Sequence, residues 1–439
     1  MDAPAELVPG PFDAAFLHDP YPVYRALREA GPLHWNADFF QGAWLLTRHA
    51  DVEAVLRDPR FSSQRTGGWV KRIEGVDASP AGRRAEAGLA RFQQLFGRAM
   101  VFLDAPDHGR LRRVMAAGFH PATIRALAPR IEALVEEILD SLAGRARFDF
   151  IEAFARPLPS RVIGLLLGIE RADEPRFIAW AEDLAAFIGA PQPTAEQLRR
   201  AERSLLQLVR HFEAVVAQRR RAPGEDLVSR LVQAEADGGV RTDAELLAQC
   251  AMLLFAGHET TRNLLGNGLY TLLSHAAQYA LLRREPERMS GALRELLRFD
   301  SPVQYTGRRV ARELELPGRR LRRGELVIAL IGAANRDPAR FPEPDRFDIR
   351  RRDGSNLAFG SGPHVCIGAG LSLLEAELSL RAMLRRWPAL RLAPGPVRWN
   401  GNAALRGLDR LDLEPGGASP GRPANAPAAG RDTVADSVL

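Results

Sequence analysis

The segment "FGSGPHVCIG", residues 359–368, places three glycines and a proline around Cys366. Leu371, Leu374 and Leu378 follow at helical spacing, so a helix is expected to begin directly after this loop. Glycines allow a backbone to approach a neighbouring group closely. The amides at a helix start favour a thiolate, so we expect a lowered pKa for the Cys366 thiol. The segment therefore predicts a reactive or metal-binding cysteine.

The chemistry of Cys366 has two alternatives. As a nucleophile it needs a neighbouring base, and His364 lies two residues away. As the only protein ligand of a metal it needs a cofactor to supply the other ligands, and haem is the obvious case. The second cysteine, Cys250, lies in the apolar helical run "LLAQCAMLLFAG" (residues 246–257) and is expected to be a buried structural residue.

The composition limits the class of protein. The chain has 439 residues, of which 46% are hydrophobic, and a formal net charge of +6. Its arginines are interspersed with Asp and Glu, so nucleic-acid binding is not indicated. Two cysteines cannot by themselves form a disulfide framework, an all-cysteine zinc site or an iron–sulfur cluster. The sequence shows neither a signal peptide nor an apolar run of about 18 residues, so we expect a soluble cytoplasmic protein without a membrane anchor.

The periodicity along the chain predicts a mainly α-helical domain with small β-sheets. Helical spacing extends over residues 107–299, whereas "GELVIALIG" (residues 324–332) is typical of a strand. Residues 62–98 are rich in glycine and arginine and are predicted to be irregular. We expect one domain over residues 1–414 and disorder in residues 415–439, which are rich in Gly, Pro, Ala and Ser.

The spacing of the cysteine loop resembles the haem-thiolate loop of the cytochromes P450, in their soluble bacterial branch. The matching pattern is Phe359-x-x-Gly362-x-His364-x-Cys366-x-Gly368. The resemblance implies the cytochrome P450 fold, with haem b (iron protoporphyrin IX) between a long central helix and the helix after the cysteine loop. It also implies that Cys366 is the axial ligand of the iron and that Phe359, His364 and Gly368 lie beside the cofactor.

A second stretch, "AGHETT" (residues 256–261), resembles the oxygen-activating part of that central helix. The small residues Ala256 and Gly257 allow the helix to lie close to a flat cofactor. The resemblance implies that Thr260 hydrogen-bonds the reacting oxygen and that Glu259 helps to relay protons.

The haem carboxylates have expected partners as well. The stretch "DAPDHGRLRR" (residues 104–113) resembles the proximal helix of the family. The resemblance implies that His108 and Arg112 bind the haem propionates together with Arg308 and His364. Such cationic or donor groups form strong hydrogen bonds with carboxylates.

A structural ion pair is expected in the same way. The spacing Glu295-x-x-Arg298 is a weak signal alone, because any solvated helix uses it. The stretch "NRDPARFPEPDRF" (residues 335–347) resembles the meander of the family, and in it Arg346 matches the arginine that joins this pair. We therefore expect a buried set of Glu295, Arg298 and Arg346, in which the loss of one member leaves a buried charge without its partner.

The resemblance implies a monooxygenase that inserts one oxygen atom of O2 into a lipophilic small molecule by hydroxylation or epoxidation. A role in secondary metabolism is expected, with a terpenoid, polyketide, steroid or fatty-acid derivative as substrate. The family topology places mostly apolar side chains around the substrate, and His258 adds a polar contact. The expected pocket residues are Phe187, Leu253, Leu254, His258, Val303, Gln304, Ala403 and Ala404.

Electrons must come from outside, because the chain carries no flavin or iron–sulfur signature. The resemblance implies a ferredoxin or flavodoxin-type donor with an NAD(P)H-dependent reductase, and a monomeric P450. Arg110 and Arg113, beside Arg112, are expected to attract the acidic donor.

Other functions are also considered. A haem-thiolate sensor or carrier without turnover would not need the Glu259-Thr260 pair. A hydroxylase driven by peroxide usually lacks that acid–alcohol pair. A hydrolase with Cys366 as its nucleophile would need no iron and would be colourless.

Overall fold

The structure is a computed structural model that describes residues 13–37, 40, 42–64, 80–190, 193–316 and 318–416. Within these residues the chain is mainly helical with small sheets, which confirms the predicted fold class. The tail predicted to be disordered comprises residues 415–439. The structure describes residues 415 and 416 of this tail, and residues 417–439 lie outside the described residues.

The described residues form fifteen α-helices. They are α1 (Ala14–His18), α2 (Tyr21–Ala30), α3 (His49–Arg57), α4 (Pro80–Phe96), α5 (Asp107–Ala116), α6 (Pro121–Ser141), α7 (Pro157–Leu167), α8 (Glu174–Gly189), α9 (Ala195–Arg221), α10 (Leu227–Ala236), α11 (Asp243–Ser274), α12 (Ala276–Arg284), α13 (Met289–Phe299), α14 (Ile331–Ala334) and α15 (Ala369–Arg386). None of these helices is long and apolar enough to cross a membrane.

The described residues also form twelve short strands. They are β1 (Leu33–Asn36), β2 (Ala43–Leu46), β3 (Phe61–Ser62), β4 (Phe148–Asp149), β5 (Thr306–Val310), β6 (Leu314–Leu316), β7 (Arg319–Leu321), β8 (Leu326–Ala329), β9 (Arg391–Leu392), β10 (Arg398–Trp399), β11 (Leu408–Arg410) and β12 (Asp412–Glu414). The largest sheet has the order β1-β2-β8-β5-β3, and the others have the orders β4-β12-β9, β10-β11 and β6-β7.

The largest sheet holds one predicted site residue in place. Strands β2 and β8 are parallel and every residue of both is buried, as their apolar sequences require. Strand β5 pairs with β8 in the antiparallel sense, with Arg308 opposite Val327. Because β8 is fixed in the core, the position of Arg308 is fixed too.

Helix α11 forms the centre of the helical part. It has 32 residues, so it is about 48 Å long, and most of its side chains are buried. It begins at Thr242, whose hydroxyl accepts a hydrogen bond from the N–H of Glu245 at 3.1 Å. Helices α7, α8, α13 and α15 pack against it. The predicted oxygen-activating stretch therefore lies on the central helix, and the helix after the cysteine loop packs against that helix.

Helix α4 corrects the prediction of an irregular segment over residues 62–98. The structure has a regular helix from Pro80 to Phe96, whereas residues 65–79 lie outside the described residues. Leu89, Phe92 and Phe96 are buried, at the spacing that places side chains on one helical face. This apolar spacing was the signal of a helix, and the glycines and arginines around it concealed it.

The buried ion pair on α13 is confirmed, but its third member is different. The Nε of Arg298 lies 2.6 Å from Oε2 of Glu295, and both side chains are buried. The Arg346 side chain is 59% exposed and pairs with Glu343, so its assignment to the buried set was wrong. Arg351 takes that place: its side chain is 9% exposed and its Nε lies 3.4 Å from Oε1 of Glu295. Arg346 contributes only its backbone carbonyl, which accepts a hydrogen bond from Arg298 at 3.2 Å.

Candidate active site

The cysteine loop is a tight turn held by its own backbone. The N–H of Cys366 donates to the carbonyl of Phe359 at 2.8 Å. Gly360 and Gly362 have φ values of +76° and +71°, a conformation that favours glycine. A Cβ on Gly362 would also meet the Cα of Arg57, the last residue of α3, at 3.0 Å. These two glycines therefore allow the loop to turn and to pack against α3.

The Cys366 thiol is accessible from a cavity between α11 and α15, yet it lies deep in the protein. Burial raises the pKa of the thiol, although the N–H groups of Gly368 and Ala369 and the guanidinium of Arg112 oppose the rise. The expectation of a lowered pKa was therefore wrong, because desolvation outweighs the helix start. A thiol with a raised pKa is a weak nucleophile, which disfavours a cysteine hydrolase. A sulfur in this position ionises when it coordinates a metal.

The cavity has a volume of about 320 Å³. Its walls are mostly apolar, with Met252 and Leu253 from α11, Val101 and Phe119 around α5, and Val303 before β5. A lining of this kind is suited to apolar ligands.

The four residues predicted to bind the propionates meet at this cavity. His108 and Arg112 come from α5, Arg308 from β5 and His364 from the cysteine loop, and all four line the cavity. The rings of His108 and His364 are tilted against each other, with their centroids 3.9 Å apart. Elements distant in sequence thus bring four donor groups together.

Two of these groups, Arg308 and His108, have buried polar atoms whose requirements the described residues do not fully meet. Arg308 is 4% exposed, and burial lowers its pKa to about 10, with Asp104 opposing this shift. Among the described residues no carboxylate forms an ion pair with Arg308, which donates to the hydroxyl of Thr306 and the carbonyl of Gly307. The buried Nε2 of His108 likewise has no hydrogen-bond partner in the described part of the chain. Buried charges are normally paired and buried polar atoms are normally hydrogen-bonded, so this cluster fits the carboxylates of a bound group such as haem.

The part of the cavity wall that α11 forms contains Ala256, Gly257 and Thr260, as predicted. The Thr260 hydroxyl donates to the carbonyl of Ala256 at 2.7 Å. A Cβ on Gly257 would lie 3.1 Å from Cδ1 of Ile163, so this glycine also allows α7 to pack closely on α11. The small residues thus serve helix packing as well as access to the cavity.

Glu259 does not line the cavity. Its carboxylate is buried and accepts hydrogen bonds from Arg262 at 3.0 Å and from Asn263 at 3.4 Å. Arg262 also donates to the carbonyl of Leu408. Glu259 is therefore part of a polar network between α11 and the C-terminal strands, and its predicted part in relaying protons stays a prediction.

His258 also faces away from the cavity. Its Nε2 lies 3.0 Å from the carbonyl oxygen of Arg156. Burial lowers the pKa of His258 to about 4, and the neighbouring Arg262 lowers it further, so the ring is neutral at physiological pH. The predicted polar contact with substrate is therefore wrong for this structure.

Of the eight residues predicted for the substrate pocket, only Leu253 and Val303 line this cavity. The aromatic ring of Phe187 instead packs against Phe92, with ring centroids 5.0 Å apart. Gln304 donates to the carbonyl of Ser301 and accepts from the hydroxyl of Tyr24. The remaining members, all buried outside the cavity lining, are Leu254, His258, Ala403 and Ala404.

Several lining residues escaped the sequence reasoning. Gln249 and Met252 lie on α11 one to two turns before Ala256, at the spacing of one helical face. Met100 and Val101 come from the segment between α4 and α5, which carries no motif. The helical spacing could have identified the first two, but not the second two.

One buried carboxyl was also missed. Glu375 on α15 lines the cavity, and burial raises its pKa well above the usual range. Its Oε2 has no hydrogen-bond partner among the described residues. A neutral carboxyl is cheaper to bury than a carboxylate, so burial favours the protonated form of this side chain.

Comparisons with known proteins agree with this geometry. The sequence profile of the family described as Cytochrome P450 matches residues 70–390. The chain is 37% identical over 418 residues to cytochrome P450 monooxygenase PikC of Streptomyces venezuelae, covering 94% of each protein. It is 36% identical over 403 residues to 6-deoxyerythronolide B hydroxylase of Saccharopolyspora erythraea, covering 91% of this chain and 96% of that protein.

A solved structure shares the fold. The P450 monooxygenase TamI, bound to tirandamycin C, superposes with a TM-score of 0.80 at 31% identity, covering 92% of this chain and 98% of TamI. The chain therefore belongs to the cytochrome P450 family. It is a haem-thiolate monooxygenase, and its cofactor is protoporphyrin IX haem.

Proposed function

We propose that Cys366 is the axial ligand of the haem iron. The observation that carries this proposal is that its sulfur opens into an apolar cavity, at whose edge four cationic or donor side chains converge. The haem held there supplies the activation of dioxygen and the transfer of one oxygen atom to the substrate. Cys250 is fully buried in α11, and burial raises the pKa of its thiol far above the usual range, so it is the structural cysteine.

The propionate partners orient the haem. Arg112 and Arg308 would form charge-assisted hydrogen bonds with its carboxylates, and His108 and His364 would add donors. In the protein alone, burial lowers the pKa of the Arg308 guanidinium to about 10. A carboxylate beside Arg308 would offset the free-energy cost of burying its charge.

Thr260 holds the proton that the reaction requires. Thr260 lines the cavity, and its hydroxyl donates to the carbonyl of Ala256. A threonine in a helix has two accessible rotamers, so the same hydroxyl can turn to the reacting oxygen or to a water. Glu259 supports this helix through its ion pair with Arg262, which lies 3.0 Å away.

The substrate is a lipophilic product of secondary metabolism, and the reaction is a hydroxylation or an epoxidation. The apolar lining around Met252, Leu253 and Val303 supports a lipophilic substrate. A role in secondary metabolism is supported by PikC and 6-deoxyerythronolide B hydroxylase, each of which is more than one third identical to this chain over most of its length.

The electrons come from a ferredoxin or flavodoxin-type donor with an NAD(P)H-dependent reductase. Helix α5 carries the exposed Arg113 beside Arg112, on the cysteine side of the site. Arg110 was expected to help attract this donor, but it is largely buried by its ion pairs with Asp107 and Glu245. Arg113 therefore supports the docking of an acidic donor without Arg110.

The test is the spectrum of the reduced, carbon-monoxide-bound protein. Wild type and Cys250→Ser are expected to give the thiolate-type band, and Cys366→Ser is expected to lose it. Turnover of a lipophilic substrate with ferredoxin, its reductase and NADPH then separates the monooxygenase from a sensor. Product formed with hydrogen peroxide alone, and none with the redox partners, would contradict the proposed electron supply.

A further inference from the structure

Gln249 joins α11 to the chain segment between α4 and α5, residues 98–103, which we name the α4–α5 connection. Its Oε1 accepts a hydrogen bond from the N–H of Met100 at 2.8 Å. Its Nε2 donates to the carbonyls of Arg98 at 3.0 Å and of Glu245 at 2.8 Å. Gln249 is 1% exposed, so these three bonds are made without competition from bulk water.

The orientation of this amide is determined by its partners. If the amide were reversed, its oxygen would face two carbonyl oxygens, those of Arg98 and Glu245, and its NH2 group would face the N–H of Met100. The bonds are therefore directional, and both groups of the side chain are used. The N–H of Met100 opens a short 3-10 turn, Met100–Phe102, and has no acceptor within that turn. Gln249 supplies the acceptor that this backbone position lacks.

The α4–α5 connection forms part of the cavity wall. Met100 and Val101 both line the cavity, and so do Gln249 and Met252 from α11. The distance between the connection and α11 therefore determines how much space the cavity offers. Any movement of Met100 away from α11 would widen the cavity on this side.

The other contacts of this region are less specific. Phe96, at the end of α4, packs against Phe102 and Phe255, with ring centroids 5.6 and 6.1 Å apart. Aromatic contacts of this kind tolerate small displacements, since the hydrophobic effect has no direction. The hydrogen bonds of Gln249 fix the position of the backbone, which the aromatic contacts alone do not.

We infer that Gln249 is a specificity-determining positioning residue, which holds the α4–α5 connection against α11 and thereby limits the size of the ligand that the cavity admits. This inference rests on the proposed haem site, because the ligand must reach the space above the haem. It assigns Gln249 no contact with the reacting atoms.

The experiment compares two azoles of different size that bind the haem iron, imidazole and clotrimazole. Their dissociation constants are measured from the shift of the haem spectrum, for wild type and for Gln249→Met, which keeps the length but loses the hydrogen bonds. We expect the preference for clotrimazole over imidazole to rise by about fivefold, the equivalent of about one net hydrogen bond. An unchanged preference would overturn the inference.

A second measurement follows the connection directly. Hydrogen exchange of the Met100 amide, measured in a peptide from this segment, is expected to be faster in Gln249→Met than in wild type. The matched control is Gln278→Met: the Oε1 of Gln278 on α12 accepts from the N–H of Ile349 at 3.1 Å, outside the cavity lining. This control is expected to leave both the azole preference and the exchange of Met100 unchanged.

The outcomes separate this inference from the proposed haem site. Unchanged exchange at Met100 in Gln249→Met would show that Gln249 does not hold the connection, whatever the haem does. A wild-type protein without the thiolate-type carbon monoxide band would instead contradict the haem site. If Gln249→Met does not fold, Gln249→Asn, whose shorter side chain cannot keep all three bonds, takes its place with the same expected results.

Discussion

The hydroxyl of Thr261 donates to the hydroxyl of Ser372 at 3.1 Å, and this bond joins the central helix α11 to the cysteine-loop helix α15. The neighbouring Thr260 lines the same cavity as Thr261, but its hydroxyl donates to the carbonyl of Ala256 in its own helix. Successive side chains on a helix point about 100° apart, which separates the two threonines. The Thr261 hydroxyl therefore joins two helices, whereas the Thr260 hydroxyl bonds only within its own helix and can turn to a bound molecule.

Thr260→Ala is expected to bind haem and substrate normally, yet to lose productive chemistry. Alanine has no hydroxyl to hold a proton at the reacting oxygen, so the product formed per NAD(P)H consumed should fall by about tenfold and peroxide should rise. NAD(P)H consumption, product and peroxide are measured together during turnover of a substrate. Thr261→Ala is the control, with largely preserved coupling and a stability loss of about 1 kcal/mol. Unchanged coupling in Thr260→Ala would contradict the role of this hydroxyl.

Arg351→Ala is expected to lower the free energy of unfolding by about 3 kcal/mol, because it leaves part of the buried charge of Glu295 without its partner. Arg346→Ala should cost less than about 1 kcal/mol, since its side chain is exposed and pairs only at the surface. Denaturant unfolding of the haem-loaded proteins measures both values. A larger loss for Arg346→Ala than for Arg351→Ala would mean that the third member of the buried set is Arg346 after all.

The sequence motifs were more successful in predicting which helices, strands and loops form the site. They were less successful in predicting which side of each element faces the cavity. The cysteine loop and the propionate partners His108, Arg112 and Arg308 carry distinct residue types at fixed spacings, and all of them line the cavity. The meander has no periodicity that indicates burial, so the sequence could not distinguish Arg351 from Arg346.

Helix α11 shows why the side of an element that borders the cavity is hard to predict. Its apolar residues surround it on nearly all sides, because it is buried along most of its length. Without an amphipathic pattern, the sequence does not indicate which face meets the cavity. Once Ala256 and Thr260 are placed there, the helical repeat turns His258 and Glu259 away from it. One structural reference point on α11 would therefore have corrected the prediction that His258 contacts the substrate.

Arg113→Glu is expected to slow the reduction of the haem by an acidic ferredoxin and to weaken the dependence of the rate on salt. Arg113 is exposed on α5, and a positive charge there raises the rate of encounter at low ionic strength. Stopped-flow reduction rates are compared at about 0.01 M and 0.15 M salt, between which the screening length falls from about 30 to about 8 Å. Arg203→Glu, the same change of charge at an exposed position of α9, serves as the control. Equal effects of the two substitutions would contradict docking at α5.

His258→Gln is expected to flatten the dependence of stability on pH in the acid range. Burial lowers the pKa of His258 to about 4 in the folded protein, from an ordinary value of 6.5. The charge of Arg262 lowers the pKa further, whereas the hydrogen bond with the carbonyl of Arg156 and the charge of Glu182 oppose the shift. Between these two values the unfolded chain binds more protons than the folded protein, so stability falls as the pH falls through this window.

At pH 5.0 this single group should account for a loss of about 2 kcal/mol relative to pH 7.5, because each unit of difference in pKa corresponds to about 1.4 kcal/mol. Denaturant unfolding at the two pH values measures the loss for wild type and for His258→Gln, in which the group that titrates is absent. His18→Gln, a substitution at an exposed position at the end of α1, should keep the wild-type difference. If His258→Gln loses as much stability between the two pH values as wild type does, the ring of His258 is not held neutral by its burial in α11.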